Sequence, residues 1–193
     1  MTLPAGAATT AEEVAAVARV GAALAEEQVV LLDAAGAPIG AADKRLVHDA
    51  DTPLHLAFSC HLYDPDGRVL VTRRALGKAT WPGVWTNSFC GHPAPGEVMD
   101  AAIRRRAQRE LGVEVTDIEV VLPDFRYRAV DASGIVENEV CPVFRAVTVD
   151  AIVPNPTEVA EYAWVSPESL RDAVLGAPYA FSPWLGWQLE QLH

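Results

Sequence analysis

Imidazoles and carboxylates able to share a metal ion are spread along this chain: His48 and His55 early, His92 beside Cys90-Gly91, then Glu137 and Glu139. Imidazole nitrogen combined with carboxylate oxygen suits Mn²⁺, Zn²⁺ or Fe²⁺ better than Ca²⁺. Glu137 and Glu139 stand two apart in a strand-like run, IVENEV, so both project from one face. Two carboxylates on one buried face repel unless a cation or a proton intervenes. Ile135 and Cys141 share that face, which weighs against its being the solvent side of an edge strand. For any one histidine taken alone, a surface or satisfied core position is the plainer reading. A lone cysteine is commonly a small core hydrophobe. Cys90, however, follows Asn87-Ser88-Phe89 and precedes Gly91-His92-Pro93, a loop-like stretch leading towards a helix. Loops on rigid scaffolds carry reactive side chains, and a metal or cationic His nearby could make this thiol a proton donor or base. A Ser-His-Asp or Cys-His-Asp hydrolase is the weaker option, because no nucleophile-elbow pattern is present.

Strands and helices must bring these residues together. The 193 residues suit one domain with a real core, and half of them are hydrophobic. Residues 1–27 read as an extension, helical over 11–27 and without a catalytic role, ahead of a single domain over 28–193. QVVLLDAAGAPIGAADK gives a strand, a Gly turn and a second strand. LHLAFSCHLYDPDGRVLVTRR reads as a hairpin about Asp64-Pro65-Asp66-Gly67. A helix starts after Pro95-Gly96 and ends at Leu111, with Gly112 as its exit. Ser166-Pro167 caps another, and the aromatic last segment, YAFSPWLGWQLEQLH, reads as helical and as a cover for the site. Strands interleaved with helices point to an α/β sandwich with a mixed sheet.

Composition excludes some functions. A formal net charge of −11 leaves no excess of Lys and Arg to neutralise a nucleic acid. No apolar run approaches a membrane span, and Glu12 and Glu13 stand where a signal peptide would be basic. The cysteines, Cys60, Cys90 and Cys141, do not make a disulfide framework and read as reduced thiols of a cytoplasmic protein. A small anionic substrate remains possible where basic residues converge.

The stretch from Gly91 to Val113 resembles a Nudix box, G-x5-E-x7-R-E-U-x-E-E-x-G-U with U aliphatic. Gly91, Glu97, Arg105, Glu110, Gly112 and Val113 are in register, but Arg106 and Arg109 replace acidic positions and Ala107 the first aliphatic one. A diphosphate hydrolase needs several carboxylates there to hold its divalent ions, and Glu110 alone cannot supply them. GVWTNSFCGHP, PDFRYRA, SGIVENEVCPVF and AFSPW, in this order, with LVTRRALGKATWPGVWTN ahead of them, are similar to type I isopentenyl diphosphate isomerase over about residues 28–187. That resemblance implies a Nudix-like α/β/α sandwich that isomerises isopentenyl diphosphate to dimethylallyl diphosphate in isoprenoid biosynthesis. It implies a Mn²⁺ or Zn²⁺ site at His48, His55, His92, Glu137 and Glu139, and a Mg²⁺ shared by Glu110 and the diphosphate. Cys90 and Glu139 are the implied acid/base groups, assisted by Tyr127; Lys44, Arg74, Lys78 and Arg106 would meet the diphosphate and Trp184 the isoprenoid carbon. The chain departs from the family at its extension and at Ser59-Cys60-His61, and its state as monomer or homodimer stays open. Competing readings are a Nudix pyrophosphohydrolase, a metal-stabilised binding module without turnover, and an inactive paralogue.

Overall fold

Alternation in the central strands sets the layers. In β4 (Phe58–Tyr63) and β5 (Val69–Arg74), Phe58, Cys60, Leu62 and Leu70 pack against helix α1 (Met99–Leu111) through Ala102, Ile103, Ala107 and Leu111. Val69 and Val71 point the other way, onto Leu170 and Val174 of α2 (Pro167–Gly176) and Leu185 of α3 (Pro183–Gln191). A strand with period 2 that is apolar on both faces must be covered on both, which makes an α/β/α sandwich. The computed structural model describes residues 28–192; the helix expected over residues 11–27 lies outside them. No helix among the described residues is long and apolar enough to cross a membrane.

Two mixed sheets share a pair of broken strands. One sheet joins β1 (Gln28–Leu32) and β2 (Pro38–Asp43) to β3 (His55–Leu56), β10 (Val136–Val140) and β9 (Arg126–Val130), in the order β2-β1-β3-β10-β9. The other, larger sheet has the order β12-β5-β4-β11-β8, where β8 is Thr116–Leu122, β11 is Val143–Val147 and β12 is Val159–Val165. β3 and β4 are separated by Ala57 alone, and β10 and β11 by Cys141-Pro142. The two long strands run parallel in both sheets, and Ala57 N–H to Val140 O and Ser59 N–H to Pro142 O carry the pairing across the break.

The hairpin expected about residues 64–67 is only partly one. β4 and β5 pair at Tyr63 and Val69, then part, and β6 (Trp85–Thr86) and β7 (Phe89–Gly91) fill the gap, β6 on β5 and β7 on β4. Ser88 closes the wedge: its hydroxyl donates to Leu70 O and accepts from Leu62 N–H, both at 2.7 Å. Cys90 therefore sits in a strand opposite Ser59, not in the loop expected for it. α2 begins as read, with Ser166 accepting from Ser169 N–H at 3.1 Å. α3 is docked on the core: Trp184, Leu185 and Gln188 are buried, and Leu185 and Trp184 each join a core cluster.

Candidate metal and acid/base site

The site lies where the two sheets exchange strands. Glu139 on β10 is flanked by His55 of β3 on one side and by Tyr127 of β9 on the other. β7 delivers Cys90 to the same place, and His92 follows two residues later. Gly91 is needed here because a Cβ would come within 2.7 Å of Arg106 Cγ and 3.0 Å of the Phe58 ring. Glu97 then ties the 92–97 turn to α1: it accepts from Ala94 N–H and holds Arg105, whose guanidinium also donates to His92 O at 3.2 Å. The box residues Glu97 and Arg105 thus position His92.

His48, His55, His92 and Glu139 each offer a ligand atom, all within 4.8 Å of one another. Glu137 adjoins them, its Oε2 3.1 Å from His48 Nε2, while its Oε1 accepts from the Thr80 hydroxyl at 2.8 Å. Buried His48 Nε2, His55 Nε2, His92 Nδ1 and Glu137 Oε2 have no hydrogen-bond partner. His92 Nε2 lies 3.1 Å and His55 Nε2 3.5 Å from the same oxygen, Glu139 Oε1, so the rings converge on a common centre, as ligands of one ion do. The far side of each ring supports this. His55 Nδ1 is 2.9 Å from Pro53 O and His48 Nδ1 3.4 Å from Lys44 O, so each ring donates from Nδ1 and turns its Nε2 towards the cluster. The donor set fits a divalent transition ion.

Electrostatics divides the acid/base groups. Burial pushes the Cys90 thiol up to about 11; hydrogen bonds from Ser59 and Asn87 oppose this, and the charges of Glu139 and Glu110 add to it. Burial would also raise Glu139, but hydrogen bonds and charge from His55 and His92 prevail and hold its carboxyl well below the ordinary range. Burial carries His92 down to about 3. It also pulls His55 down, but Glu139 and the Pro53 carbonyl lift that ring above its ordinary value. Burial and the charges of Glu139 and Glu137 keep the Tyr127 phenol protonated.

A cavity of about 510 Å³ opens on all of this, lined by Cys90, His48, His92, Tyr127, Glu137, Glu139 and Trp184 at one end. At the other end stand Lys44, Arg74, Lys78, Arg106, Arg109, Glu110 and Glu158. Trp184 is stacked on Tyr127 with ring centres 5.6 Å apart, and its Nε1–H donates to Thr86 Oγ1 at 3.0 Å and Asn87 Oδ1 at 3.1 Å. Arg74 holds the 75–84 loop through Thr80 O at 2.8 Å, with its guanidinium carbon 5.8 Å from the Trp184 ring centre. Lys78 pairs with Glu158, and Arg106 with Glu110; Arg106 Nη2 also lies 3.7 Å from Glu158 Oε1. Burial, with Arg106 and Lys78 nearby, brings Lys44 down to about 8.

Every residue singled out from the sequence borders this cavity except His55, which reaches the metal cluster from behind it. Thr80 and Glu158 join without a sequence signal of their own, since each acts through a partner far along the chain, and Asn87 supports Cys90 from outside the cavity lining. Asn87 lies within the quoted GVWTNSFCGHP, where a side chain able to donate to Cys90 Sγ at 3.3 Å could have been sought.

The NUDIX domain family matches residues 53–185. The chain is 64% identical over 155 residues, 80% of each protein, to the isopentenyl-diphosphate Delta-isomerase of Clavibacter michiganensis subsp. michiganensis. It is 64% identical over 154 residues, 80% of this chain and 75% of the relative, to that of Agromyces mediolanus. Among solved structures, DR0079 of Deinococcus radiodurans superposes with a TM-score of 0.66 at 19% identity, covering 86% of this chain and 98% of that one. A MutT NUDIX hydrolase from Burkholderia pseudomallei gives 0.54 at 22%, covering 72% and 98%. At such identities the two structures speak for the fold alone.

Proposed function

The chain belongs to the Nudix family and, within it, to the isopentenyl-diphosphate Delta-isomerases, and from that premise we propose how its cavity carries out the reaction. It catalyses the reversible 1,3-allylic isomerisation of isopentenyl diphosphate to dimethylallyl diphosphate. A proton joins one end of the allylic unit and another leaves the far end, so the double bond shifts with no change of oxidation state. An unactivated alkene is a poor base, and its protonation passes through, or close to, a tertiary carbocation.

The observation that carries the residue assignment is the placement of Cys90 and Glu139, from β7 and β10, on the wall of one cavity. Burial favours the protonated Cys90 thiol, and the imidazoles beside Glu139 favour its carboxylate, which suits one group as donor and the other as acceptor. In each turnover one group gives a proton and the other takes one, and the return reaction exchanges the roles. Tyr127, the cross-strand partner of Glu139, keeps its phenol proton and serves as a donor on that side. Trp184 supplies a ring face to the cation, worth about 2 kcal/mol when desolvated. Water near the Trp184 and Tyr127 rings would capture the cation as an alcohol, so the reaction requires its exclusion there.

His48, His55, His92, Glu137 and Glu139 would hold one Mn²⁺ or Zn²⁺, supported by the closeness of their ligand atoms and by the unpartnered buried atoms of His48, His55 and Glu137. Glu110 would hold a Mg²⁺ together with the diphosphate, since that ion commonly takes one or two carboxylates plus substrate phosphate. Bound there, the ions would neutralise carboxylate and diphosphate charge and fix their orientation. Lys44, Arg74, Lys78 and Arg106 receive the diphosphate. The substrate is the small-molecule partner; an acidic chain with free thiols supports a cytoplasmic monomer or homodimer that binds neither nucleic acid nor membrane.

Proton NMR of the purified protein with isopentenyl diphosphate, Mg²⁺ and Mn²⁺ in heavy water tests the reading. Dimethylallyl diphosphate carrying deuterium is the expected product. Free phosphate would return the chain to the hydrolases, and unchanged substrate with metal bound would leave a binding module.

A further inference from the structure

Behind Cys90, away from the cavity, lies a line of buried polar side chains. Ser59 and His61 leave β4 on the face opposite Phe58, Cys60 and Leu62, towards α3. His61 Nε2 is 3.0 Å from Gln188 Oε1, and Gln188 Nε2 donates to Ser59 Oγ at 2.9 Å. Ser59 Oγ lies 3.2 Å from Cys90 Sγ and 3.5 Å from Cys141 Sγ. Ser59, His61 and Gln188 are at most 2% exposed, and none of them lines the cavity. Apolar side chains would fill that space without the desolvation penalty of three polar ones.

The amide orientation of Gln188 gives one consistent set of donors, which ends on Cys90 Sγ as the nearer of the two sulfurs. Gln188 turns its carbonyl oxygen to the imidazole, so the ring proton sits on Nε2. Its amide then donates to Ser59, whose single proton is left for a sulfur. Burial keeps His61 below its ordinary value and therefore neutral, which matches one donor on Nε2. Asn87 Nδ2 supports the Cys90 sulfur from a second direction at 3.3 Å.

We propose that His61 and Gln188 are positioning residues for Cys90: a one-way donor chain from His61 through Gln188 to Ser59 aims the Ser59 hydroxyl at the Cys90 sulfur. The chain fixes the sulfur beside the allylic carbon and supports its charge whenever the proton is away. Gln188 stands four residues after Trp184, on the same face of α3. Docking of that one helix face thus sets both the aromatic wall and the acid/base sulfur. The inference rests on the isomerase reading and adds residues that the substrate never touches.

The test compares kcat and KM of Ser59→Ala, His61→Leu, His61→Gln, Gln188→Met and the His61→Leu/Gln188→Met pair, with melting temperature and metal content recorded for each. The expected result is a kcat lowered about 5- to 20-fold in Ser59→Ala, His61→Leu and Gln188→Met, the loss of one buried hydrogen bond to the reacting group. KM stays within about 2-fold, because no diphosphate contact changes. His61→Gln keeps a donor at the Nε2 position and recovers most of kcat, and the double variant is no slower than the worse single one. A His61→Gln as slow as His61→Leu, KM rising alongside the loss of kcat, or multiplicative losses in the double variant would overturn the chain. Should Gln188→Met fail to fold, the smaller change Ser59→Ala removes the last link by itself, and wild-type turnover there would equally overturn it. Absence of turnover in the wild-type protein would instead sink the isomerase reading, so the two failures are distinct.

Discussion

The two ends of the cavity treat charge in opposite ways. At the α1 end Lys78 pairs with Glu158 and Arg106 with Glu110, so the protein supplies counter-ions to its own cations. At the β10 end His48, His55, His92 and Glu137 keep buried atoms without hydrogen-bond partners. The α1 end also has one buried atom without a hydrogen-bond partner, Arg106 Nε, but its charges are paired, and such pairs can exchange partners when a diphosphate arrives and leaves, which suits substrate turnover. Unsatisfied buried ligands are costly to maintain and are found where a cation stays resident. In a Nudix hydrolase the carboxylates of the box helix hold the reacting ions. Here Arg106 and Arg109 take two of those positions and the helix becomes a cationic wall, while the proposed chemistry lies on the strands. The comparison explains how one scaffold can keep a diphosphate grip and discard hydrolysis.

The sharpest way to break that comparison is to remove the proton-transfer groups at the β10 end. Cys90→Ala and Glu139→Gln are each expected to lower kcat by roughly 10³-fold or more, as losing an essential acid or base does. Near-ultraviolet circular dichroism should show the fold retained in Cys90→Ala. Turnover near the wild-type rate in either variant would move the chemistry elsewhere.

Metal content separates the two ends next. Glu137→Gln is expected to weaken the imidazole site about 10- to 100-fold in metal affinity, read as lost Mn²⁺ or Zn²⁺ by elemental analysis after dialysis. Glu110→Gln should leave that content unchanged and raise the Mg²⁺ concentration needed for half-maximal rate. Equal loss of tightly held metal from both variants would mean that the ends are not distinct.

Trp184 touches both sets of residues, since its ring meets Tyr127, the neighbour of Glu139, and the Arg74 guanidinium. Trp184→Phe keeps a ring face but loses the Nε1 donor to Thr86 and Asn87, and partial activity is expected. Trp184→Ala should fall about 30-fold, the equivalent of a desolvated cation–π contact. Identical rates for the two would remove the ring-face role and leave only packing.

How far the sequence already contained this arrangement depends on the range of the interaction. β1 and β2, α1 with its exit at Gly112, and the Ser166-Pro167 cap are local signals, and each appears where its residues predict. The period-2 placement of Glu137 and Glu139 is equally local. The wedge of β6 and β7 is not: strands of two and three residues have no periodicity, and their partners lie on β5 and β4. Without that wedge, residues 58–74 read as one hairpin and Cys90 as a loop residue. Glu158 and Thr80 carry no motif either, because their roles arise from Lys78 and Glu137, 80 and 57 positions away. His61 shows the same limit, standing out by type while its partner Gln188 is 127 positions on.

The smallest expected effect concerns the cationic end alone. Lys44 is brought down from 10.5 to about 8 by burial and by Arg106 and Lys78, so it is charged below that pH and neutral above it. A neutral Lys44 attracts a diphosphate less, and kcat/KM reports the free protein in which this titration occurs. The value of kcat/KM should therefore fall a few-fold as pH rises through about 8, while kcat at saturating substrate, where bound diphosphate restores the charge, changes less. Lys44→Arg keeps its charge throughout and should abolish this alkaline limb at the cost of an altered KM. If the limb persists unchanged in Lys44→Arg, it belongs to a group at the proton-transfer end, and the division between the two ends is weaker than the ion pairs suggest.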